Sequence, residues 1–487
     1  MTRVRTVGFW LLAGVLLAAH LIVVRHSLGA RLWEDEAFNL TVPLNLLAGH
    51  GYTSDGTLSG SQLTAFDARI STGAAVLLPV AGVLATDIDP VIGGRLIALA
   101  YWVLLLAGLA VLGHRLAGRW AALIAVAVPL AFDTTPGVSP IQGPADVLGE
   151  IPAAALIVWA LVALPRRAWL AGLLVGLAVQ AKLIALLALP AFAVALWIWT
   201  PGTGGRRFAA TVRRALPPLA LAAVPTVLYE LAALIGMRGD YIHHLRATVR
   251  FLRSGGQLVE PTTVPQKLMT LLGAWYVPWW AAAVSAALVA GLVLGGLAVC
   301  RRADAARGTD AVGGADAAGA GPHAHAAGVG PADARTALGY AAAAATGLAA
   351  YVAWWSTASH TPLWVRHPAP GVFAFVPVLV IVAVWGARML GRSRGWRMPL
   401  SAIAMSASTV VVVAGLTAHT AASSRESGWE TLETQRAAAE PLRAWAAETR
   451  TEWIAAEPWG AAVPMILLAG THMGLSDAPA MAGAPRL

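Results

Sequence analysis

Residues 7–24 read VGFWLLAGVLLAAHLIVV, and beyond 25–32 the chain turns sharply acidic at Trp33-Glu34-Asp35-Glu36-Ala37-Phe38. The first stretch carries no Asp, Glu, Lys or Arg and approaches the about 20 residues that a helix needs to cross a bilayer. Arg3 and Arg5 precede it in the manner of a signal peptide. No small-residue cleavage site leads into a soluble domain, so the run is read as a retained anchor. The same apolar pattern recurs at 93–113, 119–133, 147–164, 168–182, 183–199, 216–236, 272–299, 336–356, 371–388 and 399–418, with 168–199 open to a different division. The reading is an all-α polytopic membrane protein of about eleven transmembrane helices.

Composition agrees. Of 487 residues, 58% are hydrophobic and 12% charged, and the mean hydropathy is +0.67. Soluble domains carry about 25% charged residues, so a water-soluble globule and a disordered chain are both excluded. The single cysteine, Cys300, excludes an internal disulfide framework and a multi-cysteine metal site. The net charge of +9 is explained by arginine-rich inner loops rather than by nucleic acid. With the N-terminus inside, Arg115, Arg119, Arg166, Arg167, Arg206, Arg207, Arg301, Arg302, Arg388 and Arg392 all fall on the inner side. That orientation leaves 25–92, 134–146, 237–271, 357–370 and 419–487 outside. Residues 1–418 are read as one membrane unit, with 300–335 a low-complexity inner linker. Residues 419–487 are read as an extracytoplasmic tail lying as a cap on the outer face. His323 and His325 in the linker are read as solvated rather than as metal ligands.

Polar residues out of keeping with a membrane mark five places. Glu34, Asp35 and Glu36 follow the anchor; crowding can raise the pKa of one of them, as a general base requires, and a solvated acidic turn is the competing reading. Asp146 and Glu150 stand at helical i, i+4 spacing and so share a face, where a cation, a metal or sugar hydroxyls would offset their repulsion, or the helix N-terminus alone would favour them. Lys182 is one of two lysines in a chain that otherwise uses arginine, and it offers a compact charge to a phosphate or to lipid headgroups. Arg366-His367, and more weakly Arg95, are phosphate-gripping or interfacial candidates. Glu230 is expected to face the bundle interior. The 20 tryptophans, Trp275, Trp279, Trp280, Trp354, Trp355 and Trp364 among them, are read mostly as interfacial anchors, with a minority available to stack on a sugar.

The order of these features resembles the GT-C superfamily of polytopic glycosyltransferases. The likeness is nearest to the dolichyl-phosphate-mannose protein mannosyltransferase and aminoarabinose transferase branch. It is carried by Trp33-Glu34-Asp35-Glu36-Ala37-Phe38, Leu46-Leu47-Ala48-Gly49-His50-Gly51-Tyr52, Ser71-Thr72-Gly73, Gly149-Glu150-Ile151-Pro152-Ala153, the glycine-rich 172–182 segment ending in Lys182, and Arg366-His367-Pro368. The resemblance implies a polyprenyl-phosphate-linked sugar as donor, bound from the bilayer, and transfer at the outer face of a bacterial plasma membrane to an envelope acceptor (lipid, glycan or protein). It implies that Asp35, with Glu36 beside it, supplies the catalytic acid residue, and its motifs carry over to Glu150 and Lys182; with these, Asp146, Arg366, His367 and Arg95 are expected from their placement to bind substrate. Glu34 before the pair leaves open which acid enters the site. No convincing Asp-x-Asp motif stands in an outer loop, so no metal ligand is assigned; a divalent cation stays open. The expected chemistry is an inverting displacement at the anomeric carbon. The rival readings are a transporter or lipid flippase using the same charges, and a non-catalytic relative.

Overall fold

The computed structural model describes residues 2–487 except 57–62, 66–70, 133–143, 254–259, 275–277, 314–330, 359–360, 362, 394–408, 410–412, 414, 416–430, 458–459 and 477–480. Most of the span expected at 399–418, much of the 300–335 linker with His323 and His325, and Trp275 lie outside the described residues.

Among the described residues, six helices are long and apolar enough to cross a membrane: Arg3–Gly29, Pro90–Ala117, Gly204–Arg246, Trp279–Arg302, Ala334–Thr357 and Ala369–Gly391. They belong to α1 (Thr2–Gly29), α4 (Pro90–Ala117), α9 (Gly204–Met237) with its continuation α10 (Tyr241–Arg253), α12 (Trp279–Gly313), α13 (Pro331–Thr357) and α14 (Ala369–Ser393). Four further segments expected to span are shorter: α5 (Arg119–Ala127), α6 (Glu150–Ala163), α7 (Ala168–Ala181) and α8 (Leu189–Trp199). At 1.5 Å per residue α6 rises only ~20 Å, less than the ~30 Å hydrocarbon core. The apolar windows at 119–133 and 183–199 each run through a helix and an adjoining 3₁₀ segment, Val128–Ala131 and Leu183–Ala188.

The short α6 is the centre of the bundle. Every residue from Glu150 to Val162 except Trp159 is buried, as expected for a helix that is apolar all round. It packs against α4, α7 and α14, and its side chains Ile151, Leu156, Ile157 and Leu161 join one core with Leu105, Leu109, Val175, Phe373 and Val382.

The segment after α1 is not an open loop. It holds α2 (Glu34–Leu47), a short antiparallel pairing of β1 (Thr53–Ser54) with β2 (Thr64–Ala65), and α3 (Ala74–Leu84). The three consecutive acids form the first turn of α2, where a helix N-terminus favours negative charge. Asn39 ties α2 to its neighbours: its amide donates to Thr72 Oγ1 (2.9 Å) and to Val147 O (2.8 Å), and it accepts from Ser71 Oγ (2.9 Å).

The tail folds as α15 (Leu432–Thr449), β3 (Trp453–Ala456), α16 (Ala462–Ala469) and β4 (His472–Leu475), with β3 and β4 parallel. The helical stretch expected from Glu430 to Ala456 thus ends at Thr449 and gives way to a strand. The buried Gln435 bonds both backbone groups of Leu32, accepting from its N–H (2.5 Å) and donating to its carbonyl (2.9 Å). Val463, Ile466 and Leu468 share a core with Phe38, Leu40 and Val42 of α2. Asp55 receives Asn45 Nδ2 (3.1 Å) and the Met473 amide (3.0 Å), and pairs with His472 Nδ1 (3.1 Å). The tail is therefore built into the first loop.

The Asp55 hydrogen bond raises the His472 imidazolium above its ordinary 6.5, so this pairing contributes fully below about pH 6.5 and is lost as pH climbs through the raised value. Limited proteolysis should release the tail more readily at pH ~9 than at pH ~6. Asp55→Asn should flatten that dependence.

Candidate active site

One end of the bundle gathers the polar residues, and Arg95 begins the construction. It lies in the second turn of α4, 1% exposed. Its Nε and Nη2 clasp Glu36 Oε1 and Oε2, both at 2.8 Å. Its remaining hydrogens go to the carbonyls of Leu28 (2.8 Å), Ala30 (2.8 Å) and Arg31 (3.2 Å). A helix leaves its last carbonyls without intrahelical donors. Arg95 therefore closes the end of α1 and holds the first turn of α2 in the same grip.

Successive helical residues are rotated by about 100°. With Glu36 fixed inward, Asp35 faces Arg366, with which it forms an ion pair through Oδ2 and Nη1. Glu34 takes a third direction and is half-buried. Arg366 is 8% and Asp35 14% exposed at the side chain. The guanidinium of Arg366 lies 4.4 Å from the Trp364 ring and 5.4 Å from the Trp33 ring, a cation–π cradle that fixes its plane.

A second pair stands where α6 begins and α7 ends. Lys182 Nζ lies 3.1 Å from Glu150 Oε1, and Glu150 is 1% exposed. Gly149 makes this meeting close. A Cβ there would sit 2.0 Å from the Ala181 carbonyl and 3.1 Å from Lys182 Cβ, so only glycine lets the start of α6 touch the end of α7. The same Ala181 carbonyl accepts the Gly73 amide at 3.0 Å, which brings the Ser71-Thr72-Gly73 segment to the junction.

A third cation was not singled out from the sequence. Lys267, in α11 (Val264–Gly273), is 0% exposed and donates to Trp355 O (2.7 Å), Ala358 O (2.6 Å) and Thr361 Oγ1 (2.5 Å). Burial draws its ammonium down to about 8. The signal was present: it is the chain's only lysine besides Lys182. His367 lies within the electrostatic reach of Arg366, Lys182 and Lys267 together, so these cations share one neighbourhood. Desolvation and those cations push the His367 imidazole well below its ordinary range, so it is neutral. It stacks on Trp364 (centroids 6.1 Å) and meets the Trp354 edge (6.5 Å). Arg366 and His367, adjacent in sequence, thus stand side by side, the guanidinium on Asp35 and the imidazole against Trp364.

Solved structures share this architecture. ArnT from Cupriavidus metallidurans in the apo state matches with a TM-score of 0.58 at 12% identity, covering 97% of this chain and 89% of that one. The same enzyme bound to undecaprenyl phosphate gives 0.55 at 11% identity over 98% and 89%. The Archaeoglobus fulgidus oligosaccharyltransferase in complex with Zn and sulfate gives 0.51 at 12% identity over 95% of this chain and 62% of that one. The chain has the GT-C fold. At such identities the likeness is one of fold; no family profile and no curated protein matches the sequence.

Within this GT-C fold, the sequence-expected residues divide. Asp35, Arg366, Glu150 and Lys182 come together as two ion pairs beside His367. Arg95 and Glu36 are bonded to one another, and Arg95 also donates to three backbone carbonyls. Asp146 is buried within the electrostatic reach of Arg95, on that side of the junction. Glu230 accepts from Tyr241 (2.6 Å) on the half-buried surface of α9, away from the interior position expected for it. Trp355 and Trp364 line the site's walls, whereas Trp279 and Trp280 are exposed on α12, as interfacial anchors are.

Among the described residues no three His, Cys, Asp or Glu groups converge, and Asp35, Glu36 and Glu150 are each engaged by an Arg or Lys.

Removing one partner of a buried pair leaves an uncompensated charge, at a cost of about 3–5 kcal/mol. Arg95→Met should therefore lower the melting temperature and yield of detergent-purified protein. Arg95→Met combined with Glu36→Leu should recover part of that loss. A thermal shift assay on both variants checks the ordering.

Proposed function

We propose that the protein is a membrane glycosyltransferase that moves a sugar from a polyprenyl-phosphate donor to an acceptor hydroxyl, with inversion, at the extracytoplasmic face. One observation carries the reading: Asp35 stands on Arg366 beside two lysines at the same end of a GT-C fold. A base and a group of cations in one neighbourhood is what transfer from a phosphate leaving group requires. The arginine-rich opposite end supports placing this site outside. ArnT, a structural neighbour, binds undecaprenyl phosphate, which suits a donor of that class here.

Asp35 accepts the acceptor's hydroxyl proton as the oxygen attacks the anomeric carbon. The new C–O bond forms as the anomeric C–O(phosphate) bond breaks on the opposite face. The polyprenyl phosphate departs with the electron pair, and Arg366 and Lys182 stabilise its charge. Lys267, less strongly charged than an exposed lysine, adds to that field. Arg366 is shared between Asp35 and the phosphate: donor binding gives it a second anion and frees the carboxylate to act as base.

Glu150 supports sugar recognition. Its Oε1 is met by Lys182 Nζ at 3.1 Å, while its buried Oε2 has no hydrogen-bond partner among the described residues, as is true of Arg366 Nε and Trp33 Nε1. Buried polar atoms of a folded site are ordinarily satisfied, so this set suits a polar ligand. A groove of about 770 Å³ between α3, α7 and α9, lined by Leu78, Leu173, Leu177, Val224 and Leu228 and ending at Gln180, gives the prenyl chain a place two residues from Lys182.

Asp35→Asn should reduce transfer from a polyprenyl-phosphate sugar by about 10²–10⁴-fold at unchanged membrane abundance. Turnover by that variant at the wild-type rate would remove Asp35 from the base role. Lys182→Gln should lower affinity for the donor, read as a raised KM. Leu177→Trp should raise KM for a long-chain donor more than for a short-chain one.

A further inference from the structure

The opposite end of the bundle holds a second cationic site that plays no part in the transfer chemistry. On α4, Arg115 stands twenty residues beyond Arg95, a rise of ~30 Å, about one hydrocarbon thickness. There a cavity of about 680 Å³ is lined by Arg115, Arg166 and Arg388, with His114, Thr336 and Tyr340. These come from the end of α4, the turn between α6 and α7, and the ends of α13 and α14. Among the described residues no acidic side chain lines it. Gly118, at φ +83°, shapes its edge: a Cβ there would lie 2.9 Å from Arg388 Nη1, so glycine admits that guanidinium across the α4–α5 junction.

A second cavity, of about 700 Å³, lies beside the first and shares His114 and Arg115 of α4 with it. It runs between α1, α4 and α5 along Leu16, Leu17, Leu106, Val111 and Leu123, and is almost wholly apolar. Arg119 stands at the same mouth, 5.0 Å from the Phe9 ring and 5.7 Å from Trp120. The pair of cavities thus has an arginine-lined head and an apolar arm.

We infer that these adjoining cavities bind an anionic glycerophospholipid, its phosphodiester among Arg115, Arg166 and Arg388 and an acyl chain along the arm between α1, α4 and α5. Basic pockets between helices on the inner side of a membrane suit such headgroups. A free phosphate would satisfy the arginines, but it would leave the apolar arm unexplained. The inference stands apart from the transferase reading, since no residue is shared with that site.

Native mass spectrometry of the full chain in detergent, titrated with phosphatidylglycerol, tests it. Wild type should retain one phosphatidylglycerol under activation that strips phosphatidylcholine. Replacing Arg115, Arg166 and Arg388 together by Gln should weaken retention on the order of 10-fold or more. The matching Lys triple variant should keep most of it. Replacing Arg206, Arg213 and Arg214 by Gln removes the same charge outside the cavity and should change little. Leu123→Trp fills the arm with every arginine intact and should also lower retention, which keeps the test open should the Gln triple variant fail to fold. Equal retention by wild type and Leu123→Trp, or displacement of phosphatidylglycerol by excess inorganic phosphate, overturns the inference.

Discussion

The bond on which the active end depends is the clasp of Arg95 on Glu36. A guanidinium with its hydrogens divided between one carboxylate and three carbonyls has no freedom left. It fixes the end of α1 against the start of α2, and Asp35 is the next residue on the helix. An aspartate on a free loop would lose side-chain and backbone entropy on meeting Arg366. Here that ordering is done by folding. The direction of Asp35 follows from the inward direction of Glu36, because adjacent helical residues cannot face the same way.

The rest of the site is assembled from ends of elements. Lys182 follows α7, Glu150 opens α6, Arg366 precedes α14, and Lys267 reaches across to the carbonyls that end α13. Helix ends leave backbone groups unsatisfied and break the apolar surface, so charged residues gather there at least cost. The short α6 makes this possible. Because it rises only ~20 Å, its first turn, with Glu150, is buried beside the end of α7. The bundle encloses a polar junction where a full-length span would have carried its end to the interface.

Charge divides the molecule into two ends with different tasks. At one end Asp35, Glu36 and Glu150 each meet a cation, and further positive charge gathers around His367. At the other, arginines line a cavity with no acid among the described residues. The tail adds a second constraint on the first end. Gln435 continues the backbone of Leu32, and Asp55 binds the start of β4, so α2 is held from above by the tail as it is held from below by Arg95.

The sequence by itself determined the membrane character, the helical class and the acid, lysine and arginine candidates, because apolar run length and charge placement are local properties. Asp35, Glu150, Lys182 and Arg366 were legible as charges that a membrane helix does not carry without reason. The tertiary structure decided their partners. Nothing in the spacing of residues 36 and 95 marks Glu36 as locked and Asp35 as presented, since that choice depends on which face of α2 meets α4. Lys267 was overlooked because its acceptors are carbonyls roughly ninety residues away, and a carbonyl has no signature in sequence. The surroundings of His367 are equally tertiary: burial first, and then three cations, lower its imidazole well below the ordinary range, and it stacks on Trp364. The short helices have a similar origin: hydropathy measures the apolar run, while helix length is set by where the backbone leaves the α conformation, and that is fixed by packing.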